Sequence, residues 1–347
     1  MISGPPQRVS RVSPRGTAYW TWEPSLPRLP DDFVDCCVYL YPSRVDAEKG
    51  SKIGGSGFLF GVGAEHLPNA NFLYAVTNRH VIESGNTVVR LNTRDGKTDF
   101  LEFTELDWTN HPNGDDLAVA TLPPLTDLHK YNFLDNNHLI SKALVDQYNV
   151  GPGDDIFVVG RFVNQEGKQQ NTPSVRFGNL AQMPPAPISQ PRGSGVFEQE
   201  SFIVEARSIG GFSGSAVFLI MSSQFIRPNR PNPGELNRVF LLGIDWGYIC
   251  DWDTVHDSVG RPQPSLQVRT NTGMMAVVPA WKLKELIDMP KLKIDRDASE
   301  DRILKHQSTA IGVATSSAPP ANDANPTHQE DFMRLVDVAA RKPARED

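Results

Sequence analysis

Short apolar runs, each closed by Gly, Pro, Asn or Asp, recur through most of this chain. Runs rich in Val, Ile, Phe and Tyr at that length suit strands, and 27 Gly with 28 Pro leave little room for a helical bundle. The expectation is an all-β core. At 347 residues the chain exceeds one ordinary domain, and a double antiparallel β-barrel of roughly 200 to 250 residues with tails accounts for it without a second folded unit.

The runs fall into two groups. Cys37-Val38-Tyr39-Leu40-Tyr41, Gly57-Phe58-Leu59-Phe60-Gly61, residues 72–77 and Thr87-Val88-Val89-Arg90-Leu91 read as strands of a first barrel over residues 31–122. Pro123-Pro124 and the polar Asp135-Asn136-Asn137 stretch suit a crossover over 123–147. A second barrel then occupies residues 148–287, starting from the turn and buried strand Gly151-Pro152-Gly153-Asp154-Asp155-Ile156-Phe157-Val158-Val159-Gly160. Its further strands are expected over 201–206, 216–221 and 239–246, and a short helix at 280–287 closes it.

Outside the core, residues 1–30 carry Arg8, Arg11 and Arg15 among prolines, with Tyr19-Trp20-Thr21-Trp22 as a sticky patch, and read as a poorly ordered arm. Residues 288–326 turn charged and then Ala, Ser, Pro and Asn rich, which suggests a flexible linker. Thr327-His328-Gln329-Glu330 is a capping-box pattern, and Phe332, Leu335, Val336 and Ala339 at helical spacing make a short amphipathic helix over 327–342. That face is expected to dock on the barrel or on a regulatory protein partner.

Gly210-Gly211-Phe212-Ser213-Gly214-Ser215-Ala216 sets a serine between glycines in a strand-like setting, which is how a nucleophile is presented beside backbone amides. A serine hydroxyl needs a neutral imidazole to take its proton and an acid to hold that imidazole's tautomer. His80 ends the β-branched run Tyr74-Ala75-Val76-Thr77-Asn78-Arg79-His80, and Asp116 opens Asp116-Leu117-Ala118-Val119-Ala120. Asp115 is the rival acid and is expected to be a solvated turn residue.

The order His, Asp, Ser, with Thr77-Asn78-Arg79-His80-Val81, Asp116-Leu117-Ala118, Gly211-Phe212-Ser213-Gly214 and Gly243-Ile244-Asp245-Trp246-Gly247, resembles the trypsin-like (chymotrypsin-fold) serine peptidases over about residues 33–287. It looks most like bacterial intracellular members of the glutamyl endopeptidase and Deg-type kinds. The resemblance implies a serine endopeptidase with His80, Asp116 and Ser213 as the catalytic residues. It implies an oxyanion hole from the backbone amides of Gly211 and Ser213, and substrate binding by Arg207, Asp245, Trp246 and Gly247. A carboxylate at Asp245 would favour a basic residue before the scissile bond, and Arg207 would oppose that or pair with it. Phe212 stands where animal trypsins carry an acid that pairs with a trimmed N-terminus, so activation by trimming is not expected. The alternative is a silent or latent peptidase-fold binding module activated by a partner.

Composition sets what else is expected. A net charge of −7 supplies no basic field for nucleic acid or anionic lipid. Three cysteines, Cys36, Cys37 and Cys250, form no disulfide framework, and no apolar stretch reads as a secretory signal or a membrane span. A soluble, cytoplasmic, bacterial protein is expected, with a protein or peptide substrate, no cofactor and no metal. Asp251-Trp252-Asp253 with His256 and Asp257 reads as a solvated acidic loop. His66, His111, His129, His138, His306 and His328 read as surface residues.

Overall fold

The computed structural model describes residues 10–12, 18–20, 29–52, 54–161, 169–183, 187–192, 195–206, 211–221 and 239–316, in two units that divide after Asp31. The first unit holds a small antiparallel hairpin of β1 (Ser10–Val12) and β2 (Ala18–Trp20), with Arg11 opposite Tyr19.

α1 (Asp31–Asp35) begins at the division, and the second unit goes on through β3 (Cys37–Tyr41), α2 (Arg44–Lys49), β4 (Ser56–Gly63), β5 (Asn71–Thr77), α3 (Arg79–Glu83), β6 (Val88–Thr93) and β7 (Thr98–Glu102). Then come β8 (Trp108–Asn110), β9 (Ala118–Thr121) and the two-residue β10 (His129–Lys130). These strands pair in the order β10-β6-β3-β4-β5-β9-β8, with β7 on the free side of β6. Alternation along β3 explains its complete burial. Val38 and Leu40 face a core with Leu59, Ala75 and Val89, while Tyr39 and Tyr41 lie under two fully buried arginines. Arg90 sits 4.7 Å and Arg161 4.8 Å from the Tyr41 ring centre. Desolvated cation–aromatic contacts of this kind are worth about 2 kcal/mol each.

After α4 (Lys142–Gln147) the chain builds β11 (Asp155–Gly160), β12 (Ser174–Gln182), the hairpin β13 (Ile188–Arg192) and β14 (Gly195–Gln199), β15 (Phe202–Glu205) and β16 (Ala216–Ile220). The long β17 (Val239–His256) and β18 (Pro262–Pro279) follow. A closed antiparallel barrel runs β11-β12-β15-β18-β17-β16. Phe157 and Phe218, paired on adjacent strands β11 and β16, stack at 4.7 Å, and Phe33 of α1 meets Phe218 edge-on at 5.2 Å. A curled first sheet followed by a closed barrel is the chymotrypsin-like fold, mostly β with few helices. The three cysteines are free, and burial pushes the Cys36 thiol up to about 12, which makes it inert.

α5 (Ala280–Ile287) buries Leu283, Leu286 and Ile287, and α6 (Pro290–Ser316) follows it after a short turn. The flexible linker expected over 288–326 is therefore helix as far as Ser316. Pro290 suits a first helical position, and Leu292, Arg296 and Glu300 at four-residue spacing form one stripe. Leu292 is buried, Arg296 Nη1 donates to Tyr74 Oη at 2.9 Å, and the buried Glu300 carboxylate accepts the backbone amides of Glu65, at 3.2 Å, and His66. The amphipathic helix expected over 327–342 lies outside the described residues.

The expected acidic loop is also corrected. Asp251 to His256 continue β17 as one arm of a projecting ribbon, with Trp252 opposite Arg269 and Asp253 opposite Val268. Among the described residues no helix is long and apolar enough to cross a membrane.

Candidate active site

His80 owes its place to the end of β5. Thr77 Oγ1 donates to the Ser56 carbonyl at 2.7 Å and Asn78 Nδ2 donates to the Asp116 carbonyl at 2.9 Å, so the chain turns into α3 with both polar side chains buried and bonded. The Asp116 carboxylate then meets His80 twice. Its Oδ1 accepts the His80 amide N–H at 2.9 Å, and its Oδ2 lies 2.6 Å from Nδ1. Asp116 is 2% exposed, whereas the His80 side chain is 34% exposed. With a carboxylate at Nδ1, the neutral ring carries its proton there and leaves Nε2 as an acceptor on the open side.

Ser213 lies in a turn whose flanking glycines adopt left-handed backbone, Gly211 at φ 90° and Gly214 at φ 88°. A Cβ at Gly214 would collide with the Ser56 carbonyl and the Thr77 hydroxyl. The turn is tied down by Ser56, whose amide donates to the Ser213 carbonyl at 2.8 Å and whose Oγ donates to the Gly211 carbonyl at 2.9 Å. Behind it, Gly214 N donates to the Asp245 carbonyl at 2.8 Å and Asp245 N to the Ser215 carbonyl at 3.0 Å, fastening the turn to β17. Ser56 thus bonds both to the serine turn and to Thr77, three residues before His80. Among the described residues no hydrogen bond joins Ser213 Oγ to His80. Phe212 is fully buried, which explains an aromatic at that position.

Of the expected substrate residues, Arg207 lies outside the described residues. Asp245 is fully buried, and its Oδ1 accepts the Gly247 amide at 3.0 Å across a bulge of β17. Trp246 Nε1 donates to Ser201 Oγ at 2.9 Å, and space is open around the Gly247 Cα.

Residues 55–226 match the trypsin-like peptidase domain family. This segment is a trypsin-like peptidase domain. The match takes in His80, Asp116 and Ser213. Solved structures similar to the chain include the Rv3671c protease in its inactive form, at 14% identity over 74% of this chain and 88% of that one, with a TM-score of 0.37. The active form of Rv3671c from M. tuberculosis is 14% identical over 83% of this chain and 93% of that one, with a TM-score of 0.40. A comparison with curated proteins finds no match.

Two further expectations are corrected. Asp115 is not a solvated turn residue but 8% exposed, and His111 and His129 are buried at 2% and 7%. Asp115 Oδ2 lies 2.8 Å from His111 Nδ1 and 3.3 Å from Lys282 Nζ, while its Oδ1 accepts from Gln199 Nε2 at 2.7 Å. Both ring contacts of His111, to Asp115 and at 3.3 Å to Glu285, are ion-pair distances without hydrogen-bond alignment. Burial pushes the Asp115 carboxyl up, but His111, Gln199 and the Lys282 charge outweigh it and hold it at about 2. His111, Asp115 and Glu285 bring ligand atoms within 4.8 Å of one another, as a cation would require. The Lys282 ammonium, 3.3 Å from Asp115 and 3.6 Å from Glu285, already fills that role.

Ser56 and Gln199 were missed by the sequence reading. The glycine density of Gly54-Gly55-Ser56-Gly57 was the available signal for a close approach at Ser56. Gln199 had none.

Proposed function

We propose that this peptidase domain is a serine endopeptidase with Ser213 as nucleophile, His80 as general base and Asp116 as the acid that orients it. Ser213 Oγ attacks the scissile carbonyl carbon and passes its proton to His80 Nε2. The oxyanion is held by the amides of Gly211 and Ser213. His80 then protonates the leaving amine as the C–N bond breaks, and water, deprotonated by the same imidazole, releases the acyl group. Arg207, Asp245, Trp246 and Gly247 are assigned to the substrate side.

The observation that carries this reading is the double contact of the buried Asp116 carboxylate with His80 Nδ1, at 2.6 Å, and with its amide, at 2.9 Å. A buried acid spent on one imidazole's tautomer fits base catalysis better than it fits a surface turn. The test is hydrolysis of fluorescein-labelled casein by the full chain, its Ser213→Ala variant and its Asp116→Asn variant. Turnover by the wild type alone supports the assignment, and equal turnover by Ser213→Ala overturns it.

The second reading is a latent domain ordered by a partner, with 327–342 as the docking segment. It is favoured by the want of a Ser213–His80 hydrogen bond among the described residues, although such bonds are often long before substrate binds.

A further inference from the structure

Gln199 is fully buried at the end of β14, in the second half of the fold, yet its side chain reaches the first. Its Oε1 accepts the backbone N–H of Asp116 at 2.8 Å. Its Nε2 donates to Asp115 Oδ1 at 2.7 Å and to the Glu200 carbonyl at 3.0 Å. Turning the amide over would face NH2 against N–H and oxygen against carboxylate, so these neighbours admit one orientation. Asp115 is itself held by His111 and Lys282, the latter 3.6 Å from Glu200. The Gln199 carbonyl accepts from Ser201 Oγ at 3.1 Å, and that hydroxyl accepts from Trp246 Nε1 at 2.9 Å.

The Asp116 residue is therefore gripped on both sides of its Cα. Asn78 holds its carbonyl from the His80 turn, and Gln199 holds its amide from the other half of the fold. We propose that Gln199 is a positioning residue for Asp116, fixing the acid where it orients His80 and linking it through Ser201 to Trp246 in the substrate strand. The assignment rests on the catalytic reading of His80, Asp116 and Ser213. Gln199 touches neither substrate nor reacting atoms, and its effect runs through the placement of Asp116. Without it the buried Asp116 amide loses its acceptor and the 115–116 turn is free to shift, a displacement that catalysis feels far more than binding does.

The experiment follows fluorophosphonate labelling of Ser213, separating the maximal inactivation rate from the probe's half-saturating concentration. Wild type, Gln199→Met, Gln199→Glu, Asp115→Asn and the double variant Gln199→Glu/Asp115→Asn are compared, with thermal melts to establish that each is folded. Gln199→Met keeps the volume without the hydrogen bonds and is expected to lower the maximal rate roughly 10- to 100-fold, with half-saturation within about 2-fold of wild type. Gln199→Glu sets a carboxylate against Asp115 and is expected to be as slow. In the double variant an Asn amide can donate to the new carboxylate while its other oxygen accepts the Asp116 amide. Labelling then returns to within about 3-fold of Asp115→Asn alone.

Gln199→Met labelling at the wild-type rate overturns the proposal and leaves the catalytic reading standing. Should Gln199→Met fail to fold, the swap decides: a double variant no faster than Gln199→Glu overturns the proposal. Folded wild type that takes no label overturns the catalytic reading and the proposal with it.

Discussion

Asp116 divides its carboxylate between the backbone and the ring of one residue, Oδ1 accepting the His80 amide at 2.9 Å and Oδ2 lying 2.6 Å from Nδ1. The acid thus fixes both where the histidine sits and which nitrogen carries its proton. Asp116→Asn has a single carbonyl oxygen; kept on the His80 amide, it leaves NH2 facing Nδ1, which must then accept, so the ring takes the wrong tautomer. The rate of acylation is expected to fall about 10⁴-fold, with the thermal midpoint little changed. Steady-state kinetics beside a calorimetric melt check this, and a loss of less than about tenfold would remove Asp116 from its role.

Gly214→Ala would place a methyl against the Ser56 carbonyl and the Thr77 hydroxyl at a φ of 88°. Both the strain and the overlap act on the turn that carries Ser213, and together they cost about 3 kcal/mol or more. Urea denaturation measures the loss, and activity should fall further than stability alone accounts for. Gly85→Ala, at φ 81° but with open space around it, is the control and should cost only the strain, about 1–2 kcal/mol.

The parts of the candidate site were legible because each is announced locally. A β-branched run ending at His80, an acid before Leu117-Ala118 and a serine between glycines are patterns a few residues long. Asp115 misled because two of its partners, Gln199 and Lys282, come from far along the chain, and the third, His111, four residues before it, stands in a polar stretch that does not announce burial. α6 was misread because charge was weighed above spacing, while Leu292, Arg296 and Glu300 already marked a face. The β17–β18 ribbon escaped because its exposed arms lack the apolar alternation that signals a half-buried strand.

The Asp115 carboxyl, held at about 2 against an ordinary 3.8, gives stability a pH dependence. Its folded value is depressed, so the unfolded chain takes up the proton first. The stabilisation is complete above about 3.8 and is lost as pH falls through about 2, and it amounts to the order of 2 kcal/mol. Urea melts of wild type and Asp115→Asn at steps across this window should converge at the acid end and diverge above it. Parallel curves would show that the His111, Gln199 and Lys282 contacts do not hold that charge.

Glu300 fastens α6 by accepting the amides of Glu65 and His66 in the turn between β4 and β5. Glu300→Ala leaves two amides without their acceptor and is expected to cost about 1–3 kcal/mol of local stability. Amide hydrogen exchange should rise at Glu65, His66 and the residues of α6 around position 300, while exchange in β16 stays at its wild-type rate. Unchanged protection at both amides would show that α6 is held by Leu292 and Arg296 alone.

The central claim is that Ser213 is an activated nucleophile, and mass spectrometry of the full chain after exposure to a fluorophosphonate tests it most directly. The account predicts one adduct per chain, mapped by peptide digestion to Ser213, and no adduct in Ser213→Ala or His80→Ala under the same conditions. An adduct on another residue, or undiminished labelling of His80→Ala, would contradict it.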